Sequence, residues 1–490
     1  MSDTSHFAGQ VALVALAGLA AVYANRLTER LRIPAPLLLL LGAALCSTLL
    51  PGVSAPALTT VEHVVTVALV LVLFDGGMHI GVRRFRAAAG PIAVVGVLGT
   101  FLTTAGAALL LHTAFGLSAY ASLLVATAVA PTDPAVVFSV LGQREVEGRS
   151  GTILEGESGA NDPVGIALMA SLLSAGGVSS GALGSVAGEF VLQMLVGAAV
   201  GVVGGRLLLL TARRIPLPSE ALYPLRTALV AFVLFGAASL AHGSGFLAVF
   251  VAGILFGDVH APYKREVERF HSALASLGEI VAFVLLGLTV DLGRLLRAEV
   301  LVPGVVLAAV LAVVVRPLCA GVCLLPARLR PNELAFVLFA GLKGAVPILL
   351  AEMLRAADVP QADRLFDIVV VVVVLSVLVQ GGLVPAATRL LRLPVRTSEP
   401  EPWALGVRLR DEPRGVHRVR VEEGSSADGA TIDELGDRLD DAWVSIVVRE
   451  SALVPVRGGT RLQPGDEVVV LAPDEEAGSV ETVFAPRSTA

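Results

Sequence analysis

Six charged side chains interrupt otherwise apolar stretches of this sequence: Asp75, Asp133, Glu157, Asp162, Arg316 and Lys343. A charge held at membrane depth is costly and is retained where it functions. Two of these stretches concentrate oxygen. The first, LLVATAVAPTDPAVVFSVLG, carries Pro131, Thr132, Asp133 and Pro134 near its middle. Two prolines so close cannot both sit in a regular helix, because each lacks an N–H and crowds the carbonyl one turn before it. Backbone carbonyls are freed there beside a hydroxyl and a carboxylate, as in the broken helices that form transporter ion sites. Asp133 either takes part in transport or acts through its charge and caps the second half-helix. The second stretch, TILEGESGANDPVGIALM, sets Ser158 and Asp162 four residues apart, on one helical face, with the neutral amide of Asn161 alongside. Carboxylate, hydroxyl and carbonyl oxygens are hard ligands that suit an alkali cation. An unpaired carboxylate in apolar surroundings is costly as a free anion, so it holds a proton or a cation. One group that holds each by turns is the simplest chemistry of exchange.

The other charges serve these two segments. Arg316, in VVVRPLC, needs a carboxylate partner, and Glu157 is the first candidate for a structural pair that joins two helices. In NELAFVLFAGLKGAVPILLAEML, Gly341, Gly344 and Pro347 interrupt the helix and Lys343 sits at the interruption, where a cation offsets exposed carbonyl ends. Asp75, in LVLFDGGMHI, lines a funnel toward the site or caps a helix; His79 beside it is a proton sensor or a surface histidine. Glu155 is expected at the mouth of the site. Cys46, Cys319 and Cys323 lie in apolar runs without a nearby histidine and read as buried small hydrophobes.

These residues must be carried by membrane-spanning helices. The chain has 490 residues, 55% hydrophobic and 16% charged, with a mean hydropathy of +0.79. About twenty apolar residues cross the hydrocarbon as a helix. Thirteen runs qualify or nearly so: 8–24, 33–50, 63–80, 90–111, 118–140, 152–175, 184–205, 222–241, 245–257, 273–290, 300–326, 332–354 and 365–388. The ninth is short for a span and is expected as a short or distorted helix. Loops after odd-numbered runs hold sixteen basic residues, from Arg26 to Arg330, whereas loops after even-numbered runs hold four, Arg294, Arg297, Arg355 and Arg364. Basic residues stay inside, which predicts an outside N-terminus and a cytoplasmic C-terminal region. The first run lacks a basic flank and a small-residue cleavage site, so it reads as a span and not a signal peptide. The two interrupted runs, fifth and twelfth, are seven apart and cross in opposite directions, as an inverted repeat with crossed breaks requires.

The fold expected is thus an all-α polytopic membrane protein of about thirteen helices with inverted repeats and crossed broken helices, followed by a small cytoplasmic α+β domain. The division falls at 1–395 and 396–490, where charge becomes dense. In the tail, VHRVRVEE, WVSIVVRESALVPV and DEVVVLAP read as strands and TIDELGDRL as a helix, with turns at Gly458–Gly459 and Pro464–Gly465. Residues 477–490 read as frayed. No GxGxxG loop is present, which argues against dinucleotide binding of that type. A net charge of −6 without a basic domain argues against nucleic acid.

In order, FDGG (74–77), APTDP (130–134), ESGANDP (157–163), RP (316–317) and GLKGAVP (341–347) resemble the monovalent cation:proton antiporter family of sodium/proton and potassium/proton exchangers, over about residues 10–390. The tail resembles the TrkA-C domain of potassium-conductance regulators, and the combination resembles potassium/proton antiporters of the cell-volume regulation type. This resemblance implies that Asp162 alternates between cation and proton, with Asp133 beside it in the transport chemistry. It implies a monovalent cation held by Asp162, Thr132 and Ser158. Asn161 stands where electrogenic relatives carry a second aspartate, implying one-for-one electroneutral exchange. Glu157 would pair with Arg316. Asp75 replaces a glutamate and would guide ions at the cytoplasmic funnel; Lys343 replaces an arginine. The resemblance further implies a homodimer in the lipid of the inner membrane, an elevator-like six-helix core and no cofactor beyond the transported potassium or sodium ion and proton. A small-molecule or nucleotide regulator of the tail is a further expectation.

Other classes fit less well. A channel needs a filter sequence or a voltage-sensing arginine ladder, and neither is present. An ATP-driven pump needs a Walker A sequence, also absent. A receptor built on the same core has no need of Thr132, Asp133, Asn161 and Asp162 together. Potassium and sodium or lithium want the same oxygens; the tail favours potassium by analogy alone.

Overall fold

The computed structural model describes residues 18–19, 22–23, 34–49, 56–141, 144–146, 149–177, 180–258, 261–393, 395–397, 415–436, 439, 442–449 and 452–486. The first apolar run therefore lies largely outside the described residues, as do Arg26, Arg30 and Arg32. The chain divides into two compact units, Met1–Ala404 and Leu405–Ala490.

The first unit is helical. Its helices are α1 (Ala35–Leu49), α2 (Leu58–Ala93), α3 (Thr100–Phe115), α4 (Ala119–Val129), α5 (Ala135–Leu141), α6 (Arg149–Ala175), α7 (Ser180–Arg214), α8 (Leu222–Leu240) and α9 (Gly245–Gly257). Then follow α10 (Lys264–Leu288), α11 (Leu292–Leu295), α12 (Ala298–Val310), α13 (Arg316–Leu324), α14 (Pro331–Phe339), α15 (Ala345–Ala356), α16 (Ala362–Leu375) and α17 (Gly382–Leu390). Wider π turns at Val94–Gly99, Leu311–Val315 and Ser376–Gly381 join α2 to α3, α12 to α13 and α16 to α17. Six helical stretches among the described residues are long and apolar enough to cross a membrane: Leu58–Phe115, Gly181–Arg214, Leu222–Leu240, Lys264–Leu288, Ala298–Ala327 and Ala362–Leu390. The ninth run is the thirteen-residue α9. One small antiparallel pairing, β1 (Arg144–Val146) with β2 (Val395–Thr397), closes this unit.

Two expectations change. The third and fourth runs are two helices that meet directly at a kink at Gly81, whose φ of 65° and ψ of 167° no other residue adopts easily. Arg83, Arg84 and Arg86 thus lie on helix and not in a loop. Cys46 is exposed, while Cys319 is half-buried and Cys323 buried.

Small residues allow the backbones to meet. A Cβ on Gly77 would stand 2.5 Å from the Phe250 carbonyl, and one on Gly253 would stand 2.4 Å from the Phe74 carbonyl. The FDGG segment of α2 is therefore pressed onto α9, the close approach that small residues permit between membrane helices. Helix α6 is central: eighteen of its twenty-seven residues are buried, so it has no single apolar face.

The second unit is an antiparallel four-stranded sheet in the order β3 (Val416–Arg420), β6 (Glu467–Leu471), β4 (Trp443–Arg449), β5 (Ala452–Val454). Alternation turns Val468 and Val470 of β6 inward onto Val447, Leu462 and Phe484. Helix α18 (Ile432–Gly436) matches the expected helix; a further helix, α19 (Ala477–Phe484), stands where fraying was expected. Val480 and Phe484, one turn apart, are buried in the sheet's core, and that burial holds it.

Candidate ion-binding site

Two helices break and meet. Helix α4 ends at Val129 and α5 begins at Ala135; α14 ends at Phe339 and α15 begins at Ala345. The Asp133 N–H donates to the Leu342 carbonyl at 2.8 Å, tying one break to the other. Pro131 and Pro134 deny the first path its hydrogen bonds, as their spacing predicts. In the second path the break is at 340–344, and Pro347 falls inside α15, in its first turn, where a missing N–H costs little.

Each break exposes carbonyls, and a cation meets each set. The Lys343 ammonium donates to the carbonyls of Ala130 and Pro131 at 3.0 and 3.1 Å. Arg316 donates to those of Leu338 and Val337 at 2.9 and 3.1 Å, where α14 ends. Both cations oppose the partial negative charge of a helix C-terminus. At the opposite pole, Asp133 faces the N-terminus of α15: a Cβ on Gly344 would fall 2.0 Å from its carboxylate. Glycine at 344 is what admits the carboxylate, and the dipole favours it there. Lys343 is further fixed through its N–H, which donates to Ser376 Oγ at 3.2 Å, and Ser376 in turn donates to Gln380 at 2.8 Å.

Arg316 grips Glu157 with two bonds, Nη1 to Oε1 at 2.7 Å and Nη2 to Oε2 at 3.1 Å, and both side chains are buried. This is the pairing that the sequence nominates. The Thr132 hydroxyl donates to Glu157 Oε1 at 3.5 Å and accepts from Asn161 Nδ2 at 2.8 Å. Thr132 thus belongs to a chain running from the amide to the ion pair, with its oxygen engaged by protein.

Asp162 and Ser158 differ. Both are buried on α6, and among the described residues neither hydrogen-bonds to another protein group. Asp162 feels the Asp133 carboxylate and the Lys343 ammonium. Asn161 Oδ1 is also buried without a partner. Ser158, Asn161 and Asp162 thus bring oxygen ligands that no described residue satisfies, beside half-buried Asp133. Buried polar atoms are ordinarily satisfied, so a bound cation, a proton or water suits this place.

Asp75 stands elsewhere. It accepts from Ser272 Oγ on α10 at 3.0 Å and lies 3.4 Å from His79 Nδ1. Neither partner belongs to the Asp162 cluster. Glu155 is half-buried. One carboxylate was overlooked: Glu279, inside the tenth apolar run, is half-buried on α10. Its signal was the same as for the others, a charge amid apolar residues.

Residues 12–390 match the family described as sodium/hydrogen exchanger, transmembrane, and residues 416–485 match the TrkA-C domain. The sequence is 32% identical to the K(+)/H(+) antiporter NhaP of Alkalimonas amylolytica over 86% of this chain and 73% of that protein. It is 29% identical to the K(+)/H(+) antiporter NhaP2 of Shewanella sp. (strain MR-4), over 96% of this chain and 82% of that protein. The fold is similar to that of the sodium proton antiporter MjNhaP1 from Methanocaldococcus jannaschii at pH 8, with a TM-score of 0.64 at 21% identity, covering 76% of this chain and 98% of that one.

Proposed function

The chain belongs to the sodium/hydrogen exchanger family, transporters and not enzymes, and from that premise we propose that it exchanges potassium for protons at Asp162. The observation that carries this reading is the pair Ser158 and Asp162, buried on one face of α6 without side-chain hydrogen bonds among the described residues. A cation bound by these oxygens, Asn161 Oδ1 and carbonyls of the 130–134 break leaves no room for a proton on Asp162. A proton on Asp162 removes the charge that holds the cation. Both forms are neutralised and cross; the bare anion is costly at membrane depth and does not. With Asn161 neutral, one cation replaces one proton and the cycle is electroneutral. Asp133, held at the α15 N-terminus, and Lys343 set the field around that exchange. Asp75 guides cations at the cytoplasmic mouth. Glu157 and Arg316 join the helices and do not transport.

Potassium is preferred because the curated relatives named above are potassium/proton antiporters and the tail matches TrkA-C. A sodium or lithium/proton exchanger of the same mechanism is the second reading, since the ligands are shared. The protein is an integral membrane protein; the proposal extends to thirteen spans with inverted repeats, the inner membrane, an outside N-terminus and a homodimer. Residues 1–395 form the exchanger and 396–490 a cytoplasmic regulatory domain, with a small molecule or nucleotide as its ligand.

The test is dissipation of a preset pH gradient in proteoliposomes by potassium, sodium or lithium. Potassium-driven proton movement that falls to background in Asp162→Asn is expected. Activity with sodium or lithium alone reverses the ion. No coupled flux with any cation, across pH and after deletion of the tail, sinks the exchange reading.

A further inference from the structure

The break between α14 and α15 has two lips, and side chains from a third helical path hold both. The last carbonyls of a helix have no partner within it. Where α14 ends, Arg316 takes those of Val337 and Leu338 at 3.1 and 2.9 Å. Gln380 takes the next: its Nε2 donates to the Phe339 carbonyl at 3.3 Å. Its Oε1 accepts from the Ser376 hydroxyl at 2.8 Å, and the Ser376 oxygen accepts from the Lys343 N–H at 3.2 Å. One hydroxyl and one amide thus bridge Phe339 to Lys343 across the break. Both belong to the π turn Ser376–Gly381, a widened turn of the kind frequent at functional positions. A cavity lined by Thr103, Arg316, Gly341, Lys343, Ser376 and Gln380 lies against the bridge, so close packing does not replace its bonds on that side.

What the bridge holds reaches the ion ligands through direct contacts. Lys343 Nζ donates to the Ala130 and Pro131 carbonyls. Pro131 packs onto α6 so closely that a Cβ on Gly165 would stand 2.5 Å from its Cγ. Beside it, the Thr132 hydroxyl accepts from Asn161 Nδ2 at 2.8 Å. A shift of Lys343 therefore shifts the carbonyls of the 130–134 break against the face of α6 that carries Ser158, Asn161 and Asp162. From this geometry we infer that Ser376 and Gln380 are positioning residues that set the preference of the exchanger among alkali cations. They act through Lys343 and do not themselves hold the cation or the proton. Potassium, sodium and lithium take the same oxygen ligands and differ in size, so discrimination depends on how firmly those oxygens are kept at one spacing. Slack in the break lets the oxygens adjust to whichever cation enters. This inference rests on the exchange reading above.

The decisive measurement is the half-saturating concentration of potassium and of sodium for exchange at fixed pH, with the full chain in proteoliposomes. Wild type, Gln380→Met, Ser376→Ala, Ser376→Thr, the double variant of Met and Ala, and Asp162→Asn are compared. Loss of one hydrogen bond from the bridge is expected to shrink the ratio of the two half-saturations about fivefold, in Gln380→Met and in Ser376→Ala alike. The double variant is expected within about twofold of either single one, because both residues belong to one chain of bonds. Ser376→Thr keeps the hydroxyl and should restore most of the wild-type preference. A merely structural role would slow exchange of both cations and leave their ratio where it was. That outcome overturns the inference, as does a threonine variant no more selective than the alanine one, or a wild type that does not discriminate. Should Gln380→Met not purify as a folded protein, the two Ser376 variants decide. If wild type exchanges, Asp162→Asn does not, and only the ratio fails to move, the exchange reading stands. If wild type couples no cation to protons, both fall.

Discussion

Among single residues, the ion pair of Glu157 and Arg316 is the costliest to disturb. Both groups are buried, and Arg316 also satisfies the Leu338 and Val337 carbonyls. Taking away one partner leaves the other charge unpaired in a low-dielectric interior, which costs about 3–5 kcal/mol. Glu157→Gln is expected to lose that much. Heating the detergent-solubilised protein and following its monodisperse peak on size exclusion would register it; an unchanged melting point would show the pair to be dispensable. Thr132 would lose its acceptor at the same time. Asp162→Asn should behave oppositely, abolishing exchange with little loss of stability, because no group among the described residues hydrogen-bonds that carboxylate. Sequence made all of these residues visible as charges or hydroxyls in apolar runs. It could not say that Thr132 would be engaged by Asn161 and Glu157, since those contacts join α6 to a break in another helix.

For the helices, what matters is how closely backbones approach and where they give way. Gly77, Gly253 and Gly257 let α2 and α9 touch, with would-be Cβ atoms 2.4 to 2.5 Å from carbonyl oxygens of the facing helix. Those neighbours are backbone and cannot swing aside. Gly253→Val is expected to force the helices apart and destabilise by about 1–3 kcal/mol or more, and, since α2 carries Asp75, to weaken cation uptake as well. Equal melting points and transport for Gly253→Val and wild type would refute this. The π turn at Leu311–Val315 ends directly at Arg316, and the extra residue per turn rotates the helix there, as such turns do at functional positions. Broken helices were legible because proline and glycine act locally. The π turns were not, because an apolar run of Leu and Val carries no local mark of them.

The whole molecule joins a membrane unit to an independently cored tail. In the tail, Arg449 clamps the buried carboxylate of Asp466 with two bonds of 2.8 Å, and the Gln463 N–H adds a third at 2.8 Å. Burial alone would raise the Asp466 pKa, but these hydrogen bonds outweigh it and hold it below the ordinary value of 3.8. In the unfolded chain Asp466 titrates near that ordinary value. Its contribution is therefore fully present above it and drains away as pH falls through the lower, folded value. Hydrogen exchange of β4 and β6 in the full chain should show protection that is flat above pH 4 and falls below it, roughly at the aspartate range. Arg449→Gln should lower that protection already at neutral pH, by about 2–4 kcal/mol. A variant as protected as wild type would show that the clamp contributes nothing. The membrane unit is described by a different balance. Arg294 and Arg355, which ran against the loop asymmetry, are held by Asp363, with Asp367 on Arg294 and Glu352 on Arg355.

The sequence by itself determined the helical membrane unit, the two interruptions, the tail's strands and the identity of most candidate ligands. These follow from short-range causes: apolar runs of spanning length, prolines that cannot continue a helix, alternation along strands, and charges too costly to keep without use. Only the tertiary structure decided that Lys343 crosses to the carbonyls of Ala130 and Pro131 and that Gly344 makes room for Asp133. Each joins segments more than a hundred residues apart in sequence. No local pattern encodes such a meeting, because it is fixed by how closely the small residues of neighbouring helices allow their backbones to pack.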